Sequence, residues 1–347
     1  MIHLLNFLFY ALRNYLKQDI SLMTIRNVSQ KILYLSEKIL NLFDFVDRFP
    51  DEGSCRAHFK KERDRLGIVC KKCGCSEYYW KKDRESYQCK KCGKRITLRS
   101  GTALENSNLP YLYWFKAIHL LTSTKKTFSA LEIQRQLNHK SYEAIWSMLH
   151  KIRDAMGKRD SRYKLTAYIE LDDGFFETVD IEKKDEERKR GRGSQKQSKV
   201  LVLIESEPVD SMGKDIKYKH KPNRKVGHVK MIVMDTLQGE NIKSNIDKMV
   251  EDDTSAISDA YKGYNKLKEV LKAHEVINTS EIKKAHTVLP WVHSAIGNAK
   301  KVLQGLHHSI GKDYLQSYLN EFCYKYNRRY FKDKLFDRLL IACIEFK

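Results

Sequence analysis

The stretch CKKCGCSEYYWKKDRESYQCKKCG, residues 70–93, determines the fold of the region around it. It holds two C-x-x-C pairs, Cys70 with Cys73 and Cys89 with Cys92, with 15 residues between the pairs. Four thiolates at this spacing form a tetrahedral site for a structural zinc ion and leave no open position for a substrate. We therefore predict a zinc ribbon over residues 69–103, with Cys75 as a rival ligand to Cys73.

The charge of the chain indicates the class of its partner. Its 347 residues include 65 Lys and Arg against 44 Asp and Glu, a net charge of +21. Between Arg56 and Arg99 there are 15 basic residues and only 5 acidic ones. Such an excess favours a nucleic acid, because neutralising phosphates releases condensed counterions. We expect the ribbon to contact DNA phosphates, with docking onto another protein as the alternative.

A membrane partner and a secreted protein are both disfavoured. The chain has no lipidation motif and no apolar run long enough to span a bilayer. Its eight cysteines are clustered in the ribbon and scattered elsewhere, a pattern typical of a cytosolic metal site rather than a disulfide framework. We expect a cytoplasmic protein, and we treat residues 1–22 as an uncertain extension. They are apolar and fit a weak signal peptide, a capping helix, or translation from an upstream start, with Met23 as the working initiator.

Two helical regions flank the ribbon, at residues 23–68 and 108–158. Within the second region, residues 128–137 and 142–156 have the form of a helix-turn-helix, with Ser129 and Ser141 as helix caps. The second helix would enter the major groove of DNA with Lys140, Ser141 and Tyr142 near its leading end. The alternative is a plain helical hairpin that supports the core.

From residue 165 the pattern changes to strands followed by helices, which predicts a sheet with helices on its faces over residues 165–340. The first strand ends in Asp172 and Asp173, and a later one ends in Asp259. Carboxylates at two strand ends can hold a pair of Mg²⁺ or Mn²⁺ ions for phosphodiester transfer. The alternative is that these acids are solvated turn caps.

Several blocks of sequence together are similar to one known family. They are the ribbon with Ser100–Ala103, the helix pair that starts at Ser129, Ile169–Asp173, Arg190–Ser194, Ser258–Asp259 with Tyr264, the segment around His293, and Asn327–Arg329. From about Phe43 to Phe336 the chain resembles the bacterial insertion-sequence transposases that have an amino-terminal zinc ribbon and a DDE-type nuclease domain. The resemblance implies an α+β multidomain fold with a zinc ribbon, a helix-turn-helix-like segment and an RNase H-like catalytic domain.

The resemblance also implies catalytic roles. Asp172 and Asp259 match the first and second catalytic aspartates of the family. The third position is commonly asparagine in this group, here Asn298, with a lysine shortly after it, here Lys300. Asp172, Asp259 and Asn298 would hold the two Mg²⁺ or Mn²⁺ ions, and Lys300 would offset phosphate charge or hold the DNA.

Some of these assignments stay open at this point. Family members usually have Asp-Glu where this chain has two aspartates, so the sequence leaves open whether Asp172 or Asp173 faces the metal. Glu321 is an alternative third ligand, and His293 is a further residue expected to line the site. Arg328 and Arg329 are expected to contact DNA.

The activity implied is that of a DNA transposase. Such an enzyme binds the terminal inverted repeats of its element, cuts at the ends and joins them to target DNA, as a homo-oligomer on the DNA. Two alternatives remain from sequence alone. One is a DNA-binding regulator with a zinc ribbon and an inactive RNase H-like domain, and the other is a nuclease without strand transfer.

Overall fold

The computed structural model describes residues 40–179, 197–208, 224–278, 289–307, 309–331 and 334–347. The predictions for residues 1–22 and 23–39, and the block at residues 190–194, lie outside the described residues. The helices are α1 Leu42–Arg48, α2 Glu52–Leu66, α3 Tyr111–Ser123, α4 Ala130–Leu137, α5 Tyr142–Ser161, α6 Gly239–Met249, α7 Pro290–Gln304, α8 Leu315–Asn327 and α9 Lys334–Glu345. The strands are β1 Tyr78–Lys81, β2 Ser86–Cys89, β3 Arg95–Thr97, β4 Tyr168–Glu177, β5 Gln197–Pro208, β6 Arg224–Met234, β7 Ser255–Asp259 and β8 Ala273–Ile277.

Helices α1 to α5 share one apolar core with the ribbon and with α9. Trp114 and Phe115 of α3 are fully buried in it, and the ribbon contributes Tyr87 from β2. The returning helix α9 is tied to the ribbon side of this core, because the Ala103 backbone N–H donates to the Cys343 carbonyl at 2.8 Å. The ribbon, the helical segment and the carboxyl-terminal helix therefore pack as one body. The residue limits given above for the separate domains stay predictions.

The second body is a five-stranded mixed sheet in the order β6-β5-β4-β7-β8. Strands β4, β5 and β6 are antiparallel, whereas β7 runs parallel to β4 and β8 runs parallel to β7. The first strand, β4, has the antiparallel-paired strands β5 and β6 on one side and the parallel-paired strands β7 and β8 on the other. This is the RNase H-like arrangement. The predicted fold class, with a ribbon, a helical segment and an RNase H-like sheet with flanking helices, is confirmed.

Strand β5 shows why helices cover both faces of this sheet. Val200, Val202 and Ile204 pack with α7 and α8 on one face, and Leu201 and Leu203 pack with α6 on the other. All five side chains are fully buried. A continuous apolar run is what a central strand buried on both faces requires. Each such side chain stabilises the fold by about 1.5–3 kcal/mol relative to leaving it in water.

Helices α5 and α8 join the two bodies. The Arg153 Nε atom of α5 donates to the Glu321 Oε2 atom of α8 at 2.9 Å, with both side chains only 2% exposed. Gly157 of α5 lets the two helices approach closely, since a Cβ placed there would lie 2.3 Å from the Asn320 side chain of α8. The second helix of the helix-turn-helix segment is therefore docked directly on the sheet domain.

Candidate active site and zinc site

The ribbon cysteines converge on one point. The Sγ atoms of Cys70 and Cys92 are 3.6 Å apart, as are those of Cys73 and Cys89. All four sulfurs lie within 4.8 Å of one another. Among the described residues, no other group of three or more Cys, His, Asp or Glu side chains lies this close together. A tetrahedral zinc ion with bonds of about 2.3 Å needs sulfurs about 3.8 Å apart. The four thiolates therefore fit a closed zinc site.

Two tight turns aim these sulfurs. Gly74 and Gly93 both have φ of 69°, the left-handed conformation that favours glycine. Their N–H groups donate to the carbonyls of Cys70 and Cys89 at 2.8 and 3.0 Å, which closes each knuckle. The rival ligand Cys75 lies outside the cluster, because its sulfur contacts the backbone of Glu77.

The two aspartates lie side by side on neighbouring strands. Strands β4 and β7 are parallel and pair Leu171 with Ser258, so the residues that follow, Asp172 and Asp259, occupy adjacent positions. Neighbouring strands are about 4.8 Å apart, and residues in register point to the same face. Both aspartates are partly exposed at this end of the sheet. The structure thus brings together two carboxylates that are far apart in sequence.

A histidine from α7 meets the first aspartate. His293 Nε2 lies 3.0 Å from Asp172 Oδ2, and the two side chains are 33% and 16% exposed. The hydrogen bond to Asp172 raises the pKa of His293 above its ordinary value, and burial opposes this shift. The negative charges of Asp172, Glu170 and Asp259 raise that pKa further. His293 therefore faces a strongly negative site.

The alternation of β4 puts Asp172 and Asp173 on opposite faces of the sheet. Asp173 points to the opposite face of the sheet, where the Tyr264 hydroxyl donates to its Oδ1 atom at 3.3 Å. Burial raises the pKa of Tyr264, and the carboxylates of Asp173, Asp172 and Asp259 add to this, so the hydroxyl stays a donor. Asp172 is the member of the pair that shares a face with His293.

The structure places Asn298 on a different side of α7 from His293, and its role as third ligand stays a prediction. Asn298 is exposed and lines a groove of about 490 Å³ with Thr124, Tyr318 and Phe322, away from the aspartates. It lies five residues after His293, and at 100° per residue it points about 140° away from that side chain. The helical phase therefore separates the two side chains, which point to different sides of α7.

Lys300 shares a face with His293. The two are seven residues apart, which is two helical turns within about 20°. The Lys300 Nζ atom lies 5.6 Å from the centre of the Phe176 ring, and Phe176 is four residues beyond Asp172 on the same face of β4. Lys300 therefore lies about 10 Å along α7 from His293, beside the part of β4 that follows Asp172. The seven-residue spacing is the sequence signal that puts His293 and Lys300 on one face of α7.

Three other expected site residues have structural contacts instead. Glu321 is buried against Arg153 and does not reach the aspartates. Arg328 is 7% exposed, bonded to Asp160 Oδ1 at 2.5 Å and stacked on the Tyr324 ring at 3.8 Å. Arg329 donates to the carbonyls of residues 226, 227 and 326. These contacts hold both arginines within the fold, and their expected contact with DNA stays a prediction.

The expected DNA-reading residues are placed as a recognition helix requires. Lys140, Ser141 and Tyr142 are exposed at the start of α5. Ser141 accepts from the Ala144 N–H at 3.3 Å and caps the helix. The turn before it is held by Gln134, whose side chain donates to two turn carbonyls. Their contact with DNA stays a prediction.

Neither body contains a bilayer-spanning element, as far as the described residues go: none of their helices is both long and apolar enough.

The strand order and the aspartate pair define the class of this protein as one with an RNase H-like domain. Residues 164–327 match the ISXO2-like transposase domain, so the sheet domain belongs to this family of transposase domains of the DDE type. The match begins just before β4 and ends with α8, and it contains Asp172, Asp259 and His293. No curated protein matches the chain.

Three solved structures show a weak likeness. They are a pre-cleavage Mos1 transpososome, the Mos1 strand transfer complex and a Mos1 transposase paired-end complex with the left transposon end. Each is 10% identical and covers 67% of this chain, and 75%, 78% and 79% of the respective structures are covered. Their TM-scores of 0.25, 0.23 and 0.20 are too low to support any conclusion about this chain.

Proposed function

We propose that this chain is an insertion-sequence transposase that binds the terminal inverted repeats of its element, cuts the DNA at the ends and transfers the strands to a target. The observation that carries this proposal is the alignment of Asp172 and Asp259 on adjacent parallel strands with His293 against the first of them. The transposase domain match makes this arrangement a candidate active site rather than a pair of turn caps.

The donor set fits a divalent cation. Adjacent ligands of an octahedral ion with bonds of about 2.1 Å are about 3.0 Å apart, and His293 Nε2 lies 3.0 Å from Asp172 Oδ2. Carboxylate oxygens suit Mg²⁺ and Mn²⁺, and an imidazole suits the softer Mn²⁺ better. We propose Asp172, Asp259 and His293 as the ligands of the two ions, in place of the set with Asn298.

Bound ions would activate the attacking oxygen and stabilise the leaving oxygen of phosphodiester transfer. Asp172 and Asp259 would provide two carboxylate ligands at the end of the sheet, where a DNA backbone can approach from solvent. His293 would release to solvent the Nε2 proton that faces Asp172 and then present a neutral nitrogen on the same face. Lys300, about two turns further along α7, would pair with a phosphate next to the one that reacts.

The remaining parts would bind the element ends. The exposed start of α5, with Lys140, Ser141 and Tyr142, would enter the major groove, and the basic ribbon would contact flanking phosphates. Zinc at the four cysteines would hold the ribbon in shape. Because α5 is docked on α8, bound DNA would lie at a set position relative to the sheet. Assembly of several copies on DNA is part of the proposal.

A strand-transfer assay tests this function. The DNA flanking the gene is labelled and incubated with purified protein, a plasmid target, and Mg²⁺ or Mn²⁺. Asp172→Asn and Asp259→Asn should abolish cleavage and joining while end binding survives. Asp252→Asn is a matched control, because Asp252 is an exposed acid in the turn before β7.

The outcomes separate the alternatives. Cleavage without joining would identify a nuclease, and specific binding without cleavage would identify a regulator with an inactive domain. Full activity of either aspartate variant would overturn the active site proposed here.

A further inference from the structure

Glu170 is a fully buried carboxylate with no role in the mechanism above. Its Oε2 atom accepts hydrogen bonds from the backbone N–H groups of Trp291 at 2.8 Å and Val292 at 2.9 Å. These N–H groups belong to the first turn of α7, which begins at Pro290 and has no capping side chain of its own at Leu289. A strand residue therefore supplies the cap of a distant helix.

This contact joins the two parts of the candidate active site. Glu170 lies two residues before Asp172 on β4, so both side chains point to the same face of the sheet. Val292, which Glu170 holds, is followed directly by His293. Glu170 lies one strand repeat, about 6.6 Å, from Asp172. Its carboxylate thus sets the distance between Asp172 and His293.

The surroundings of Glu170 compensate the charge of its buried carboxylate. A carboxylate without exposure to water is costly unless hydrogen bonds and opposite charge surround it. The Ser206 hydroxyl donates to Glu170 Oε1 at 2.6 Å and accepts from Arg224 Nε at 2.7 Å, which connects a cation to the buried acid. The positive end of the α7 dipole faces the other oxygen. Three hydrogen bonds engage both carboxylate oxygens within the fold, so Glu170 is held as a structural anchor and not placed among the proposed metal ligands.

We propose that Glu170 is a positioning residue, which anchors the start of α7 and so holds His293 against Asp172 in the geometry that binds the metal. The inference rests on the proposed function for its catalytic consequence. The anchoring itself is independent of that function. Trp291 adds a second anchor, because its Nε1 atom donates to the Arg224 carbonyl at 3.1 Å.

The test uses the full chain and two variants. Glu170→Gln keeps the size of the side chain but removes its charge. Glu205→Gln is the matched control, because Glu205 also accepts two backbone N–H groups, of Thr166 and His228, but does not touch α7. Both carboxylates lie on the same sheet, so a general loss of stability would affect the two variants alike.

Amide hydrogen exchange is the first readout and needs no catalytic activity. We expect Glu170→Gln to speed exchange at Trp291 and Val292 at least 10-fold, with the rest of the sheet unchanged, and Glu205→Gln to leave these amides as they are. Unchanged exchange at the two amides, or an equal increase across the whole sheet, would overturn the proposal.

Metal-dependent cleavage is the second readout. Loss of an outer support of a metal ligand weakens metal binding by about 10–100-fold. We expect Glu170→Gln to raise the Mn²⁺ concentration for half-maximal cleavage by that factor, with end binding unchanged and the rate recovered at high Mn²⁺. An unshifted concentration would refute the link to the site. Wild-type protein without metal-dependent cleavage would contradict the proposed function, while the exchange data would still decide the anchor.

Discussion

The third ligand of the site is tested by two substitutions on one helix. His293→Ala removes the imidazole that lies 3.0 Å from Asp172 Oδ2, whereas Asn298→Ala removes an exposed amide on another face of α7. Both replace a polar side chain by the residue with the best helix propensity, so α7 itself should persist in both variants. The pair therefore separates the role of the site from the integrity of the helix.

The expected magnitude follows from the number of ligands. With Asp172 and Asp259 left, His293→Ala removes one of three protein ligands. Loss of one group that stabilises the transition state reduces the rate by about 100-fold or more, which corresponds to about 2.7 kcal/mol. Asn298→Ala should change the rate less than about twofold, since an exposed residue outside the site contributes within about 0.5 kcal/mol.

Cleavage of labelled element ends in single-turnover conditions is the assay, with Mn²⁺ and Mg²⁺ varied in parallel. End binding and zinc content serve as controls for folding. His293→Glu should restore activity preferentially with Mg²⁺, because it supplies the hard oxygen ligand that Mg²⁺ prefers. An inactive Asn298→Ala protein beside an active His293→Ala protein would refute the reasoning and return the third position to Asn298.

Three further predictions concern stability and metal content. Cys70→Ser should lose the zinc and lower the melting temperature, whereas Cys75→Ser should keep one zinc per chain, as measured by elemental analysis; equal zinc in both would refute the four-thiolate site. Arg153→Met should destabilise the fold by about 3–5 kcal/mol in urea denaturation, because it leaves the buried Glu321 with Lys325, at 3.6 Å, as its remaining ion-pair partner among the described residues. Adding Glu321→Leu and Lys325→Met should recover most of this loss, and a loss below about 1 kcal/mol would contradict the prediction. Burial lowers the pKa of His150 from 6.5 to about 4, so the unfolded chain binds a proton at this histidine more readily than the folded chain does. The free energy of unfolding should therefore fall as the pH drops from about 6.5 to about 4. His150→Phe should flatten that pH dependence, and an identical slope in both proteins would rule the histidine out as its cause.

Local spacing explains what could be predicted correctly. The two C-x-x-C pairs need only their own turns to aim four sulfurs, and Gly74 and Gly93 adopt the left-handed turns expected after them. The strands from residue 165 are read from continuous apolar runs, and the transposase domain match agrees with the resemblance inferred from the sequence blocks. The ribbon and the individual strands depend on residues within about 25 positions of one another, so they can be predicted from the sequence alone.

The candidate active site depended more on the tertiary structure. Sequence placed carboxylates at strand ends, but strand pairing decided that Asp172 and Asp259 are adjacent and that Asp173 faces Tyr264 instead. The phase of α7 likewise decided that His293, and not Asn298, contacts Asp172.

Sequence by itself determined the ribbon, the RNase H-like order of elements and the two aspartates. Only the tertiary structure decided that His293 contacts Asp172, that Arg328 is buried against Asp160, and that Glu170 reaches across to α7. The physical reason is that an isolated motif states which chemical groups are available. Which of them share a site depends on strand register and helix phase, and these are set by packing between segments that are more than 100 residues apart.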